Sequence, residues 1–183
     1  MVTPVQTKTT FAEYDALPET NQIVELIDGE IVMNPPVDPH QVVVGNIYFH
    51  LRGRIATGQW RLAPTGLHFD DDNSFEPDIF WVSTENTICA LEPDGRYWHG
   101  APDLVIEVLS PSTAYRDRGI KYETYQRYGV REYWLVDADG RYAEVYVLLD
   151  GKFQRQGVFS PGQPFVSAVL GGVSIDVTPW FTD

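Results

Sequence analysis

Two short segments of this chain put carboxylates where folded proteins ordinarily keep apolar side chains. Pro102-Asp103-Leu104-Val105-Ile106-Glu107-Val108-Leu109 is apolar on both faces apart from its two acids, the pattern of a strand at the centre of a sheet. Pro77-Asp78-Ile79-Phe80-Trp81-Val82 reads as a second buried strand. Desolvating a lone carboxylate costs several kcal/mol unless something binds it. With a side-chain period of two, Asp103, Val105, Glu107 and Leu109 share one face, and Leu104, Ile106 and Val108 the other; Glu76, Asp78 and Phe80 likewise share a face. If the strands pair, Asp78 and Glu107 converge, and a hard cation with oxygen ligands, Mg²⁺ or Mn²⁺, would cancel their repulsion. Spacing alone leaves open the alternative that each acid sits at a strand end, exposed or paired with an arginine.

The elements that must position these acids follow from pattern. The first ten residues, with four Thr and no apolar period, predict a flexible arm before Phe11, and residues 11–17 a short helix. Asp28-Gly29 between the apolar runs 24–27 and 30–32 predicts a two-residue hairpin. Val43, Val44, Ile47, Leu51 and Ile55 recur at helical spacing, giving a helix over about 40–56 with His40 near its start, where it could point toward the acids. A variable stretch follows, with Asp70-Asp71-Asp72 as a solvated turn, and residues 84–100 read as an irregular connection. Ser110 to Thr113 stops the central strand and offers an N-cap; a helix should then run to Tyr128, with Gly129 as its C-terminal signal. Residues 132–137 form another buried strand, 142 onward a final hairpin around Asp150-Gly151, and 165–177 one or two edge strands.

The 183 residues suffice for one domain with one core, over 11–183, burying roughly 70% of the unfolded chain's surface. Thirteen Lys and Arg against 26 Asp and Glu give a formal net charge of −13, which repels nucleic acid at long range. That disfavours a tight non-specific DNA binder, but not an enzyme that screens its acids with Mg²⁺ and holds phosphate through a local basic patch. Cys89 as the single cysteine excludes an internal disulfide and suits a reducing cytoplasm; it reads as an apolar filler. Neither a signal-peptide core nor a membrane-spanning apolar run is found, so the chain reads as intracellular, with no membrane partner. His50, His68 and His99 share no ligand spacing.

The succession ELIDGEIV, EPDI, PDLVIEVLSPST and a helical Lys leading to GVREYWLVD resembles the bacterial restriction-endonuclease-like family of the PD-(D/E)XK superfamily, from Phe11 to Phe181. The resemblance implies an α/β (α+β mixed) fold, a central mixed sheet flanked by helices with accessory β-hairpins. It also implies a metal-dependent phosphodiesterase site, nucleic acid as partner, DNA before RNA, and a homodimer. It assigns Asp78 and Glu107 as the motif acids, and Glu25 and Asp103 fall on positions that match the family pattern. The third motif position should be Lys, but Leu109 stands there. Of Lys8, Lys121 and Lys152, only Lys121 can reach, and the resemblance also implies a lysine moved onto this helix. Asp117, Lys121 and Tyr125 lie at i, i+4 and i+8 and share a helical face; the alternative is an exposed Lys121 paired with Asp117. The expected catalytic set is thus Asp78, Glu107, Lys121 and Glu25, with Mg²⁺ or Mn²⁺ on Asp78, Glu107 and a backbone carbonyl near Val108, and with Asp103, His40 and Tyr125 as accessories. Arg116, Arg118, Arg127 and Arg131, on or beside the same helix, are the expected phosphate contacts, and exposed Tyr115 and Tyr122 could stack on bases. Against metal-dependent endonuclease action stand a catalytically idle binding or assembly module and a phosphoesterase for a small nucleotide.

Overall fold

A computed structural model describes residues 8–18, 20, 22–33 and 38–182. Its centre is a six-stranded mixed sheet built from β3 (Gln59–Leu62), β6 (Ile79–Val82), β9 (Leu104–Leu109), β10 (Glu132–Asp137), β11 (Tyr142–Leu149) and β12 (Lys152–Phe159). The order is β12-β11-β10-β9-β6-β3, parallel between β9 and β10 and antiparallel elsewhere. The alternation read from the 102–109 segment is realised. Leu104, Ile106 and Val108 pack with Val43, Val44, Ile47 and Leu51 of helix α2 (Asp38–Arg54) and with Trp180, whereas Val105 faces Phe80, Tyr133, Leu135 and Tyr125 on the other side. Both faces are covered, which is why the strand is apolar apart from Glu107.

What covers the second face was not legible. The predicted hairpin, β1 (Val24–Ile27) and β2 (Glu30–Met33), is joined by four strands from the stretches read as variable or irregular, β4 (Gly66–Asp70), β5 (Asn73–Phe75), β7 (Ala90–Leu91) and β8 (Tyr97–His99), in a second six-stranded sheet. These strands are two to five residues long, and a register shift between His68 and Asp70 interrupts the pattern, so no alternation runs long enough to be read. Asp70 opens the tight connection from β4 to β5 and is half-buried rather than freely solvated.

The turns obey their chemistry. Asp28 and Gly29 both take positive φ (48° and 77°), as do Asp150 and Gly151 (50° and 75°), the backbone that two-residue hairpins require. The arm expected before Phe11 is partly anchored: Thr10 caps α1 (Phe11–Asp15) in a capping box with Glu13, and Lys8 pairs with Asp28; residues 1–7 of that arm lie outside the described residues. The helix expected over 114–128 is two helices, α3 (Ala114–Asp117) and α4 (Ile120–Tyr128), with Gly129 closing α4 at φ 92°. The break falls at Gly119, where a Cβ would meet the Tyr115 carbonyl oxygen at 2.8 Å, and Thr113 makes no side-chain cap bond. The 165–177 segment pairs with itself, β13 (Phe165–Ser167) against β14 (Val173–Ile175), instead of extending an edge.

That last hairpin is fastened by one acid. Glu132, fully buried on β10, accepts hydrogen bonds from Trp134 Nε1 (3.1 Å), Ser167 Oγ (2.8 Å) and the N–H groups of Ala168 (2.8 Å) and Val169 (3.1 Å). Four donors converge on one carboxylate, so its loss strands all four. Glu132→Ala is expected to lower unfolding free energy by about 3 kcal/mol or more, since each buried unpaired polar group costs about 1–3 kcal/mol; denaturant unfolding checks this, and a loss under about 1 kcal/mol contradicts it.

Candidate active site

The antiparallel register of β6 on β9 pairs Ile79 with Ile106, Phe80 with Val105 and Trp81 with Leu104, and so carries Asp78 to the position beside Glu107. The main chain locks the pair reciprocally: the Asp78 N–H donates to Glu107 Oε2 (3.2 Å), and the Val108 N–H donates to Asp78 Oδ2 (2.7 Å). His40, in the first turn of α2, reaches the same oxygen with Nε2 at 3.1 Å; a carboxylate only accepts, so that nitrogen carries the proton. Burial lowers the His40 pKa, but the hydrogen bond and charge of Asp78 outweigh it and leave it raised.

Leu109 stands at the end of β9, packed against the second-face core, and the missing cation arrives from α4. Lys121 is buried, with Nζ 2.8 Å from Glu25 Oε1, 3.0 Å from Glu107 Oε1 and 3.6 Å from Asp117 Oδ1. An exposed Lys121 paired only with Asp117 is therefore not what forms. Tyr125, one turn on, donates from its hydroxyl to Glu107 Oε1 (2.8 Å). Glu25 comes from β1 and accepts from the Glu76 N–H (2.9 Å); Glu76 itself accepts from the Val24 N–H (3.2 Å). A cavity of about 200 Å³ opens onto Glu25, His40, Glu76, Asp78, Glu107, Asp117 and Lys121, roofed by the 110–113 segment.

Five carboxyl groups thus meet one ammonium and one imidazole. Burial pushes Glu107 up to about 8 against the opposing charge of Lys121, Glu76 up to about 7 with Glu25 adding to it, and Asp117 up to about 6. Lys121 is held well above its usual value: burial lowers it, and the charges of Glu107, Glu25 and Asp117 more than compensate. Glu76 and Asp117 were not assigned to the site from sequence. The signals existed, since Glu76 shares a face with Asp78 and Asp117 precedes Lys121 by one turn, but neither spacing distinguishes a site acid from a surface one.

Other expected members fall elsewhere. Asp103, four residues before Glu107 and so roughly 13 Å along the strand, lies outside the cavity: it accepts from the Ser83 N–H, Asn86 Nδ2 and Arg131 Nη1. Arg131 is thereby engaged, as are Arg118 with Glu144 (2.6 Å) and Arg127 with Asp70 (3.8 Å), while Arg116 lies over the Tyr115 ring. Acids of the chain thus stand against three of the four arginines that sequence offered as phosphate contacts. Tyr122 packs edge-on against Tyr133, Tyr146 and Phe153 instead of standing free, whereas Tyr115 is exposed. Cys89 is buried, and burial raises its thiol to about 12, consistent with a filler.

The central mixed sheet, with Asp78 and Glu107 meeting at adjacent strands and Lys121 beside them, belongs to a known fold. It is shared with the crystal structure of a "putative nuclease belonging to DUF820" from Anabaena variabilis ATCC 29413, at a TM-score of 0.77 and 23% identity over 94% of this chain and 97% of that one. Residues 11–178 match the family model Uma2, described as "Putative restriction endonuclease", and the chain belongs to that family. No curated protein matches it in sequence. Among the described residues no helix is long and apolar enough to cross a membrane.

Removing the one buried ammonium leaves buried acids uncompensated, so Lys121→Met should cost about 3–5 kcal/mol, while exposed Lys152→Met should change stability by under about 0.5 kcal/mol. The pH dependence has a definite sign. Carboxyls whose folded values lie above the ordinary 4.5 and 3.8 are protonated in the fold while charged in the unfolded chain, so the stability they contribute is present at low pH and lost as pH rises toward 8. Without Lys121 that loss deepens. The deficit of Lys121→Met, measured by urea unfolding, should be larger near pH 8 than near pH 5; a deficit independent of pH contradicts this electrostatic account.

Proposed function

We propose that this protein is a Mg²⁺- or Mn²⁺-dependent endonuclease hydrolysing nucleic-acid phosphodiesters, with DNA as the first substrate to try. The observation that carries the reading is the reciprocal main-chain locking of Asp78 and Glu107 in a cavity where carboxyl groups outnumber cations. The fit to a hard cation is good: the donors are carboxylate oxygens, each with lone pairs beyond those already used, and the surplus of acid is what a divalent ion would balance. Asp78 and Glu107 would hold the ion, with the main chain at Val108 beside it. When bound, such an ion polarises a phosphate oxygen and lowers the pKa of a coordinated water.

The chain's own groups do the remainder. Lys121 uses two N–H donors on Glu25 and Glu107, and Asp117 at 3.6 Å is beyond hydrogen-bond length, which leaves one donor for a water or a phosphate oxygen. Glu25 and Tyr125 fix where that ammonium and its partner acid stand. His40, protonated on Nε2, steadies Asp78. Glu76, with a carboxyl near 7 and a place on the cavity wall, suits proton acceptance from a water near neutral pH.

A second reading, a catalytically idle module for binding or assembly, draws support from the net charge of −13 and from the engagement of Arg118, Arg127 and Arg131 by acids of the same chain. Cleavage of single- and double-stranded DNA and RNA in Mg²⁺ and Mn²⁺ separates the two. Asp78→Asn and Glu107→Gln should each abolish nicking with circular dichroism unchanged, and Lys121→Ala should slow it roughly 10²-fold or more; wild-type nicking by both acid variants removes the site. Saturating Mn²⁺, at about 100 times its Kd, adds about 2.7 kcal/mol, or a rise in Tm of about 5–10 °C for a chain of this size. That shift should vanish in Asp78→Asn. A shift of equal size in the variant marks diffuse binding to an acidic surface and favours the idle module.

A further inference from the structure

A second cluster of metal-ligating side chains lies on the face of the second sheet that carries Leu26 and Ser74, opposite to that of Glu25. The parallel register of β4 on β8 sets His68 directly opposite His99. Antiparallel β7 pairs Leu91 with Trp98, and the next residue, Glu92, donates its N–H to the Tyr97 carbonyl (2.8 Å). Leu67, Phe69 and Trp98 enter the core, so the alternate residues His68 and His99 point away from it, with Phe11 of α1 stacked on the His68 ring at 3.6 Å. One ligand atom each from His68, Glu92 and His99 lie within 4.8 Å of one another, the group of this kind found among the described residues.

The hydrogen bonding of His68 points to a ligand. Its Nε2 lies 3.2 Å from the Asp70 carbonyl oxygen, which can only accept, so Nε2 carries hydrogen and the neutral ring keeps its lone pair on Nδ1. Nδ1 is buried without a hydrogen-bond partner and stands 3.5 Å from Glu92 Oε1. A lone pair facing a carboxylate is repulsive unless a cation lies between them. The Asp70 segment that fixes the ring is itself held, since the Asp70 carboxylate accepts from Tyr128 (2.6 Å) and from Asn73 Nδ2 (2.8 Å). A backbone carbonyl on the outer nitrogen is how metal-bound histidines are usually oriented.

We propose that His68 Nδ1, His99 and Glu92 form a zinc-class site, separate from the carboxylate centre and chemically unlike it. Two imidazoles and a carboxylate suit borderline ions such as Zn²⁺, whereas an all-oxygen set suits Mg²⁺ or Mn²⁺. Tetrahedral coordination at the usual bond lengths sets ligand atoms about 3.3 Å apart. Exposed His99 and partly exposed Glu92 can close the gap by side-chain rotation, leaving a fourth position to water. The ion would clasp β4, β8 and β7.

Zn²⁺ titration of the tag-free full chain by calorimetry, in saturating Mg²⁺, tests this, with Co²⁺ replacing Zn²⁺ for visible spectra. One equivalent should bind, with the intense visible bands of a low-coordinate Co²⁺ site. His99→Ala and Glu92→Gln, both at the surface and outside the core, should each weaken binding by more than the roughly 10- to 100-fold that loss of an outer-shell partner costs. Asp78→Asn should bind as wild type does. Unchanged binding in both His99→Ala and Glu92→Gln, or binding lost in Asp78→Asn, overturns the assignment. No binding at all overturns it equally.

Discussion

A buried ammonium needs its charge matched, and around Lys121 that requirement organises the molecule. The acids that match it come from three directions: Glu25 from the outer part of the second sheet, Glu107 from the middle strand of the first, and Asp117 from the short helix before α4. None of these carboxylates would be tolerated at its depth without the lysine, and the lysine would not be tolerated without them. The mutual dependence helps fix how the two sheets and the helix pair approach one another, in a region that also packs the Phe75 and Tyr125 rings edge to face.

The same arrangement explains why Leu can occupy the strand position where the superfamily pattern has Lys. A positive charge does stand next to the strand acid, supplied by α4 instead of by β9. Leu109 is then free to serve the core. The charge of the site, not the order of residues along β9, is the constrained quantity.

What could be read in advance was whatever depends on short-range periodicity. Alternation along 102–109 gave the faces of the central strand, and i, i+4, i+8 spacing placed Asp117, Lys121 and Tyr125 together even though the helix breaks at Gly119 between the first two. Asp-Gly pairs gave both hairpins. Glu25 and Lys121 entered by family likeness, and only the folded chain shows that they touch. The rest of the second sheet, β4, β5, β7 and β8, escaped because those strands are too short and bulged to carry a period. The partners of the arginines were not legible either: a cluster of basic residues in sequence says nothing about the acids, Asp70, Asp103 and Glu144, that folding sets against Arg127, Arg131 and Arg118. His68, Glu92 and His99 escaped similarly, because a strand register joins residues about thirty positions apart without leaving a spacing to recognise.

The segments that build the acid cavity are scattered: residues 25, 40, 76–78, 107 and 117–121, with Tyr125 behind them. No two of the principal groups Glu25, Asp78 and Glu107 are close in sequence, so none of their contacts can form locally, and each must wait for long-range strand pairing. A ribosome-bound chain therefore holds only fragments of the centre until α4 has emerged, and the strand that flanks Glu107 on its other side, β10, comes later still. Assembly of the centre is therefore a late event, set by the pairing of β6 with β9 and the docking of α4 over them.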